Sequence, residues 1–263
     1  MAKLLVDINS DLGESFGNYV LGRDEDVLNY VTSANIACGF HAGDYMVMAK
    51  TVKNAIKNNV GVGAHPGYPD LQGFGRRSLK MTFEELKNMI LYQIGAIEAI
   101  IRCHGGKLRH VKLHGALSND CHSQSEKGDY TIAEALGKAV LEYDKDLIVI
   151  GYTKSAMIKK LIDMGLKVVE EVYADRAYNV DCTLVSRNIP GAVITSPDEV
   201  IKRVLRMIND RTIITYDNQK ITKVNPESIC IHGDTPMAVK LARQCREALE
   251  KEGILVRTCS IKL

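Results

Sequence analysis

The chain has 263 residues, 46% hydrophobic and 25% charged, and its 34 basic side chains nearly balance 32 acidic ones, for a net charge of +2. This length suits one α/β barrel, so we expect a single domain over residues 1–263. A nucleic-acid-binding surface would need a basic stripe and stacking aromatic side chains. The near-neutral charge, 6% aromatic content and absence of Trp argue against one. The sequence has no apolar run of about 18 residues, so no membrane span is expected.

The cysteines and the N-terminal segment indicate where the protein works. Seven cysteines, an odd number, are scattered without a C-x-x-C pair. This pattern argues against a disulfide framework and against a zinc knuckle, and it predicts buried free thiols in a reducing compartment. The N-terminal segment reaches Asp7 before the apolar region of a signal peptide could form. We therefore expect a cytoplasmic protein.

Short apolar or β-branched runs alternate with long amphipathic segments, which predicts repeated βα units around a parallel sheet. In chain order the predicted strands are Lys3–Asn9, Ser33–Cys38, Val60–His65, Arg109–Leu113, Leu147–Gly151, Lys167–Val172 and Ser228–His232. Ile254–Thr258 could add an eighth strand. Residues 212–224, which are broken by Asp217-Asn218, are interpreted as an inserted hairpin. The predicted fold class is an α/β parallel barrel of about seven strands, closed or nearly closed.

The helices between these strands carry start and stop signals. Three starts show Ser or Thr followed three residues later by Glu, the spacing of a capping box. These pairs are Thr82 with Glu85, Thr131 with Glu134, and Ser196 with Glu199. The predicted helix ends are followed by glycines that adopt a left-handed conformation at low cost, among them Gly105, Gly165 and Gly253.

Histidines concentrate where the predicted strands end. Five of the seven fall within or just after a predicted strand: His41, His65, His110, His114 and His232. In a parallel barrel the C-terminal ends of the strands and the loops that follow carry the functional side chains. The alternative is that each is a solvated loop residue or a satisfied core histidine. The coincidence of five favours an active site.

Strand periodicity places several polar residues on shared faces. The two-residue repeat puts Asn9 with Asp11 and Lys112 with His114. Because burying such charges against a helix layer would leave them unpaired, the polar faces are predicted to line the barrel mouth. Gly63 is expected to leave room inside the barrel.

These side chains suit hydrolytic or lyase-like chemistry. Carboxylates and imidazoles can transfer protons, and a lysine can stabilise negative charge. Asp11, His41 and His65 are ligand types that suit zinc, iron or manganese, so a divalent metal held by these three is one hypothesis. The sequence has no G-x-S-x-G elbow, Walker A pattern or G-x-G-x-x-G fingerprint, so no motif indicates a nucleophile or a nucleotide site.

Residues 67–77, GYPDLQGFGRR, form a glycine-rich segment that ends in Arg76 and Arg77. Its backbone N–H groups and guanidinium groups could receive a carboxylate or a phosphate. The alternative is a turn with solvated arginines.

Six blocks of the sequence, in register from Asp7 to Asp234, resemble the LamB/YcsF family: DINSDLGESFG, NIACGFHAGD, GAHPGYPDLQGFGRR, HVKLHGAL, ADRAYNVD and ICIHGD. The resemblance implies a barrel related to the glycoside hydrolase and deacetylase superfamily. It also implies cleavage of 5-oxoproline to L-glutamate, coupled to ATP hydrolysis. The chain would act as the A subunit of a prokaryotic 5-oxoprolinase, with two partner subunits and with Mg-ATP used through the complex.

The resemblance also implies site residues. The chemical groups would be Asp11, Lys112, His114 and Asp175. The substrate pocket would be lined by Asn9, Glu14, Asn35, Arg176, His232 and Asp234. Independently of the resemblance, the glycine-rich segment offers Arg76 and Arg77 as further substrate-binding residues. His41 and His65 would be bases or metal ligands. Two other readings stay open: a stand-alone metal-dependent amidase or deacetylase, and a non-catalytic lactam-binding subunit.

Overall fold

A computed structural model describes residues 4–218, 221–233 and 237–259, and strands alternate with helices along them. The strands are β1 (Leu5–Leu12), β2 (Ser33–Ala37), β3 (Gly61–His65), β4 (Leu108–Lys112), β5 (Ile148–Tyr152), β6 (Lys167–Tyr173), β7 (Thr212–Ile214), β8 (Ile221–Lys223), β9 (Ser228–Cys230) and β10 (Leu255–Val256). The helices are α1 (Asp24–Val27), α2 (Tyr45–Lys57), α3 (Phe83–Cys103), α4 (Gly115–Glu126), α5 (Thr131–Tyr143), α6 (Ala156–Asp163), α7 (Pro197–Asn209) and α8 (Ala238–Lys251).

Seven parallel strands close into a barrel, as the sequence predicts. The order is β1, β2, β3, β4, β5, β6 and β9, and β9 then pairs with β1 to close the ring. Closure joins Asp7 to Ser228 and continues to Asn9 and Cys230. β10 pairs with β1 only at the two residues before Asp7, because β9 occupies that edge from Asp7 onward. Residues 254–258 therefore do not add a strand to the ring.

The first strand extends further than the sequence predicts. β1 continues past Asn9 to Leu12, because its pairing with β2 runs on to Leu12 and Ile36. Asp11 consequently lies within the strand, facing its neighbours inside the barrel. Between β7 and β8 the pairing is antiparallel, which places a small two-stranded sheet within residues 212–223, outside the ring.

The three helix starts differ in how they are capped. Thr82 forms the predicted capping box with Glu85, each side chain accepting a hydrogen bond from the other residue's backbone N–H. The second box is wrong: Thr131 is itself the first helical residue, and its N–H and hydroxyl both donate to Asp129. Ser196 is the N-cap of α7 but makes no side-chain cap bond among the described residues.

Polar side chains fill the barrel interior in layers. At the bottom Asp7 accepts hydrogen bonds from Ser33 and Ser228. One layer higher, His110 lies against Gly63, where a Cβ atom would sit only 2.1 Å from its ring. Gly63 thus leaves room inside the barrel as expected, but the His110 imidazole occupies that space, so no cavity forms there. The apolar faces of the strands point outward and pack on the helices in one contiguous core.

Two further observations bear on the sequence-based expectations. All seven cysteines are free, and every one except Cys103 is buried, as predicted. Among the described residues, none of the helices combines the length and the apolar character that crossing a bilayer requires.

Candidate active site

A cavity of about 550 Å³ opens at the C-terminal end of the barrel. Its floor is formed by strand-end residues such as Asp11 and Lys112. One wall comes from the glycine-rich segment, including Phe74 and Arg76, and the opposite wall comes from residues 183–188 of the long connection between β6 and α7. The cavity thus lies where a parallel barrel places its functional groups.

Lys112 lies at the centre of the floor and is almost fully buried. Its ammonium nitrogen is 3.0 Å from Glu171 Oε2 and 3.1 Å each from Asp11 Oδ1, Asn9 Oδ1 and Cys230 Sγ. Burial by itself would lower the pKa of Lys112, but the carboxylates of Asp11 above all, and of Glu171, raise it well above its usual value. Lys112 is therefore a charged ammonium that neutralises the buried carboxylate of Glu171 and the partly buried one of Asp11.

Asp11 is shared between this lysine and the histidines. Its Oδ1 accepts hydrogen bonds from Lys112 and from Asn35 Nδ2, the latter at 2.8 Å, and its Oδ2 lies 3.4 Å from His65 Nε2. Burial favours the protonated acid, yet His65 and Lys112 hold the pKa of Asp11 well below its usual range. Asp11 is an ionised carboxylate at neutral pH.

Four side chains from the ends of four adjacent strands converge beside Asp11. They are Glu14 after β1, His41 after β2, His65 at the end of β3 and His114 after β4, and one donor atom from each lies within 4.8 Å of the others. The rings of His41 and His114 are stacked with centroids 3.6 Å apart, and both stand edge-on to His65. We call these four residues the histidine cluster.

Burial keeps two histidines of the cluster, His41 and His114, neutral. Burial, reinforced by the neighbouring imidazole of His65, lowers the pKa of His114 to about 3. Burial, together with the neighbouring His114 and His65, lowers the pKa of His41 well below its usual value. Each of these two imidazoles therefore keeps a lone pair on one ring nitrogen at pH 7.

On the far side of the cavity His232 pairs with Asp175. His232 Nδ1 lies 2.9 Å from both oxygens of the Asp175 carboxylate. Burial opposes ionisation of Asp175, but His232 keeps the pKa of that carboxyl below its usual value. A histidine that donates Nδ1–H to a carboxylate presents its Nε2 lone pair as a base, and His232 lines the cavity.

The arginines of the site have different surroundings. Arg76 lines the cavity, with its guanidinium carbon 5.1 Å from the centre of the Phe74 ring. Arg77 points elsewhere and forms an ion pair with the buried carboxylate of Asp70. Arg176 also lines the cavity, but its guanidinium donates hydrogen bonds to the backbone oxygens of residues 185 and 192.

A second set of potential metal ligands, Asp11, Cys230 and His232, also comes within 4.8 Å. Lys112 Nζ contacts both Asp11 and Cys230 at 3.1 Å. A cation placed among these atoms would lie against an ammonium group. Burial also raises the pKa of Cys230 well above its usual value, so its sulfur is a thiol and a poor ligand.

Comparison with known proteins decides the family. The model of the LamB/YcsF family matches residues 6–262. The chain belongs to the LamB/YcsF family. It is 51% identical over 251 residues to the A subunit of a 5-oxoprolinase from Pyrococcus abyssi, covering 95% of this chain and 96% of that one.

Solved structures show the same fold. A lactam utilization protein from Thermus thermophilus superposes with a TM-score of 0.89 at 38% identity, covering 97% of this chain and 99% of that one. The catalytic domain of a peptidoglycan N-acetylglucosamine deacetylase from Eubacterium rectale has a TM-score of 0.52 at 11% identity, covering 98% of this chain and 90% of that one. The expected relation of this LamB/YcsF barrel to the deacetylase fold is confirmed.

Most residues singled out from the LamB/YcsF motifs meet at this cavity. Those that line it are Asp11, Glu14, His65, Arg76, Lys112, His114, Arg176 and His232. Asp175 does not line the cavity but pairs with His232, and His41 is the buried member of the histidine cluster that does not line the cavity. Asn9 and Asn35 lie one layer down and bond to Lys112 and Asp11. Arg77 does not reach the cavity because Asp70 holds its guanidinium. Asp234 lies outside the described residues.

Sequence reasoning on this LamB/YcsF chain assigned no role to Glu171 and Tyr173, although both lie in the polar run at the end of β6. Glu171 is buried against Lys112, accepts a hydrogen bond of 2.8 Å from the Tyr173 hydroxyl, and completes the charge balance of the floor. The signal was present, because Glu171 and Tyr173 lie two residues apart on the inner face of β6, in step with Asp175.

Proposed function

We propose that this chain is the A subunit of a multi-subunit 5-oxoprolinase and that its cavity opens the lactam of 5-oxoproline to L-glutamate. The observation that carries the proposal is the identity of about half of all residues, over nearly the whole length, with proteins named as the A subunit of 5-oxoprolinase. A cavity that combines neutral imidazoles, ionised carboxylates and arginines supports it. Cleavage of an amide needs proton transfer to nitrogen and stabilisation of an oxyanion.

The side chains of the cavity suggest a division of roles. The 5-oxoproline carboxylate would pair with Arg76 at the rim. His232, oriented by Asp175, would take a proton from the attacking water as the new C–O bond forms at the lactam carbonyl. The C–N bond then breaks, and the imidazolium returns the proton to the leaving nitrogen. Lys112 would act indirectly, by holding Asp11 ionised in the floor.

ATP would enter the reaction through the partner subunits. A lactam is a resonance-stabilised amide, and phosphorylation of the amide oxygen is one way in which ATP could activate it. The sequence carries no phosphate-cradling P-loop, so we expect activation to need the complex with two partners and Mg-ATP.

Reconstitution tests the proposal. Glutamate release from 5-oxoproline is measured with the isolated chain, with the partners alone, and with the assembled complex, each with and without Mg-ATP. We expect turnover only in the complete, ATP-containing mixture, and a loss of at least about 100-fold in kcat when His232→Gln is assembled. ATP-independent release by the isolated chain would contradict the ATP-coupled reading and favour a stand-alone amidase.

A lactam-binding role without chemistry predicts a different result for the same variant. If His232→Gln and Asp175→Asn both bind 5-oxoproline and both support full turnover in the complex, the chemistry lies in a partner subunit. Thermal melting of each variant shows whether it is folded.

A further inference from the structure

The histidine cluster brings its four donor atoms to the spacing of a metal coordination sphere. His65 Nε2 and His114 Nδ1 are 3.0 Å apart, His41 Nε2 and Glu14 Oε1 are 3.3 Å apart, and His114 Nδ1 and Glu14 Oε1 are 3.5 Å apart. Four ligands placed tetrahedrally at bond lengths of about 2.0–2.1 Å would be separated by about 3.3 Å. These three separations scatter around that value, and all six pairs lie within 4.8 Å. The His41 ring is stacked on His114, so it must turn for its lone pair to point at a shared ion.

The remaining nitrogens of two rings determine which atoms carry hydrogen. His65 Nδ1 lies 2.7 Å from the Lys112 carbonyl oxygen, and His114 Nε2 lies 2.9 Å from the Phe74 carbonyl oxygen. A carbonyl oxygen only accepts, so both of these nitrogens must carry the proton in a neutral imidazole. His65 Nε2 and His114 Nδ1 then face each other with lone pairs. Where both rings are neutral, these two lone pairs at 3.0 Å repel each other, and a proton or a metal ion between them removes the repulsion.

The carboxylates of Glu14 and Asp11 also lie where a positive charge between the donor atoms would be favourable. Glu14 Oε1 lies close to nitrogens of both His41 and His114, and Asp11 Oδ2 lies 3.4 Å from His65 Nε2. A single shared proton would satisfy one pair of these atoms. A cation placed among the four donor atoms of the histidine cluster is close to all four at once. The Nδ1 atom of His41 is buried and has no hydrogen-bond partner within the described part of the chain, so the backbone does not supply another role for this ring.

We infer that Glu14, His41, His65 and His114 bind a divalent cation of the zinc, manganese or iron class. Imidazole nitrogen with one carboxylate oxygen is a ligand set that suits these ions. The contacts of His65 and His114 with backbone carbonyls would orient both rings as ligands. The set differs from the sequence-based hypothesis of Asp11, His41 and His65, because Glu14 and His114 join it and Asp11 stands beside it.

The nearby ammonium group is compatible with this cation. Lys112 donates to Oδ1 of Asp11, whereas it is the other oxygen, Oδ2, that faces the cluster. The Asp11 carboxylate therefore separates the two positive charges. Glu14, His65 and His114 line the cavity, so the cation would be a Lewis acid at its wall, a role that rests on the proposed function.

Metal binding by the full-length chain tests the inference without any turnover measurement. The chain is stripped with a chelator, dialysed, and titrated with Zn²⁺ by calorimetry, and the bound metal is counted by mass spectrometry. We expect one equivalent per chain. His65→Gln and His114→Gln should each weaken binding by more than about 100-fold. Loss of a residue that only hydrogen-bonds to a metal ligand weakens binding by up to about 100-fold, so loss of a ligand should exceed that. The matched control is His122→Gln, a buried histidine outside the cluster.

Two measurements on the unsubstituted chain keep the test decisive if the variants do not fold. Zn²⁺ should raise the melting temperature of the stripped chain, since a ligand bound only by the folded state stabilises it. Co²⁺ should give the intense visible absorption of a four-coordinate site with nitrogen ligands. Failure to retain metal, a Co²⁺ spectrum no different from that of the aqueous ion, or binding by both folded cluster variants as tight as that of the unsubstituted chain would overturn the inference. None of these results depends on glutamate release, so the proposed function is judged separately.

Discussion

Single residues at the cavity floor have roles that depend on charge balance. Lys112 carries the positive charge that balances the carboxylates of Asp11 and Glu171, and its four close contacts leave it little freedom to move toward a substrate. Replacing it affects the folded state before it affects any chemistry.

We expect Lys112→Met to lower the free energy of unfolding by about 3–5 kcal/mol, because Asp11 and Glu171 lose their buried partner. Adding Glu171→Gln should recover part of that loss, since it removes one of the two uncompensated charges. Urea denaturation at pH 7 measures both. The control is Lys138→Met, which removes an exposed lysine paired with Glu142 and should change stability by less than about 1 kcal/mol. If Lys112→Met and Lys138→Met lowered the free energy of unfolding equally, the charge balance at the cavity floor would be contradicted.

The neighbouring arginines form a natural matched pair. Arg76 borders the cavity whereas the guanidinium of Arg77 is held by Asp70. In the reconstituted complex, Arg76→Ala should raise KM for 5-oxoproline at least about 10-fold with a smaller effect on kcat, because a carboxylate partner is lost. Arg77→Ala should leave KM nearly unchanged. A KM that responds to Arg77 and not to Arg76 would show that the substrate lies elsewhere.

At the scale of elements, the start of α2 connects the helix layer to the site. Asp44 is the N-cap of α2, and its carboxylate accepts hydrogen bonds from the backbone N–H groups of Met46, Val47 and Gly17. Gly17 belongs to the loop after β1, so one side chain fixes both that loop and the helix that follows His41.

The cap should contribute stability that depends on pH. Hydrogen bonds from Gly17 and then Val47 lower the pKa of Asp44, so its folded-state pKa is below its unfolded one. Its contribution is therefore fully present above the unfolded pKa and is lost as the pH falls through the folded one. Asp44→Ala should cost about 1 kcal/mol at pH 7 and less in acid.

Asp44→Asn is the control for this prediction, because asparagine is an equally good N-cap without a titrating group. Urea denaturation of the three proteins at pH 7 and at the lowest pH where all remain folded measures the effect. A cost of Asp44→Ala that is the same at both pH values would contradict a contribution from the ionised carboxylate.

At the scale of the whole molecule, closure of the barrel joins its first strand, β1, to its last, β9. β9 inserts between β6 and β1, and one contiguous hydrophobic core extends from Val6 to Val256. We therefore expect residues 1–263 to unfold as a single cooperative unit. Far-UV circular dichroism and tyrosine fluorescence should report the same midpoint in urea. Tyr216, in the loop between β7 and β8, contributes to the fluorescence, so separated transitions would indicate a hairpin that unfolds on its own.

How much of the site could be foreseen follows from the range of the interactions involved. The strand–helix alternation, the inward-facing Asn9 and Asp11 of β1, and the clustering of histidines at strand ends depend on periods of two to four residues, so they can be read from the chain. The predicted capping box at Thr131 is wrong for a local reason: the Thr131 N–H, which Glu134 was expected to accept, donates to Asp129 instead. The family motifs indicated the rest of the cavity.

Sequence by itself determined that this protein is a parallel barrel with its polar groups at the strand ends, because repetition of βα units and strand periodicity are local properties. Only the tertiary structure decided which of those groups meet. Glu14 and His114, 100 residues apart, face each other because barrel closure brings the ends of β1 to β4 together. Glu171 balances Lys112, and Asp70 removes Arg77 from the cavity. Distances across a barrel depend on strand order and register, and no spacing along the chain encodes them.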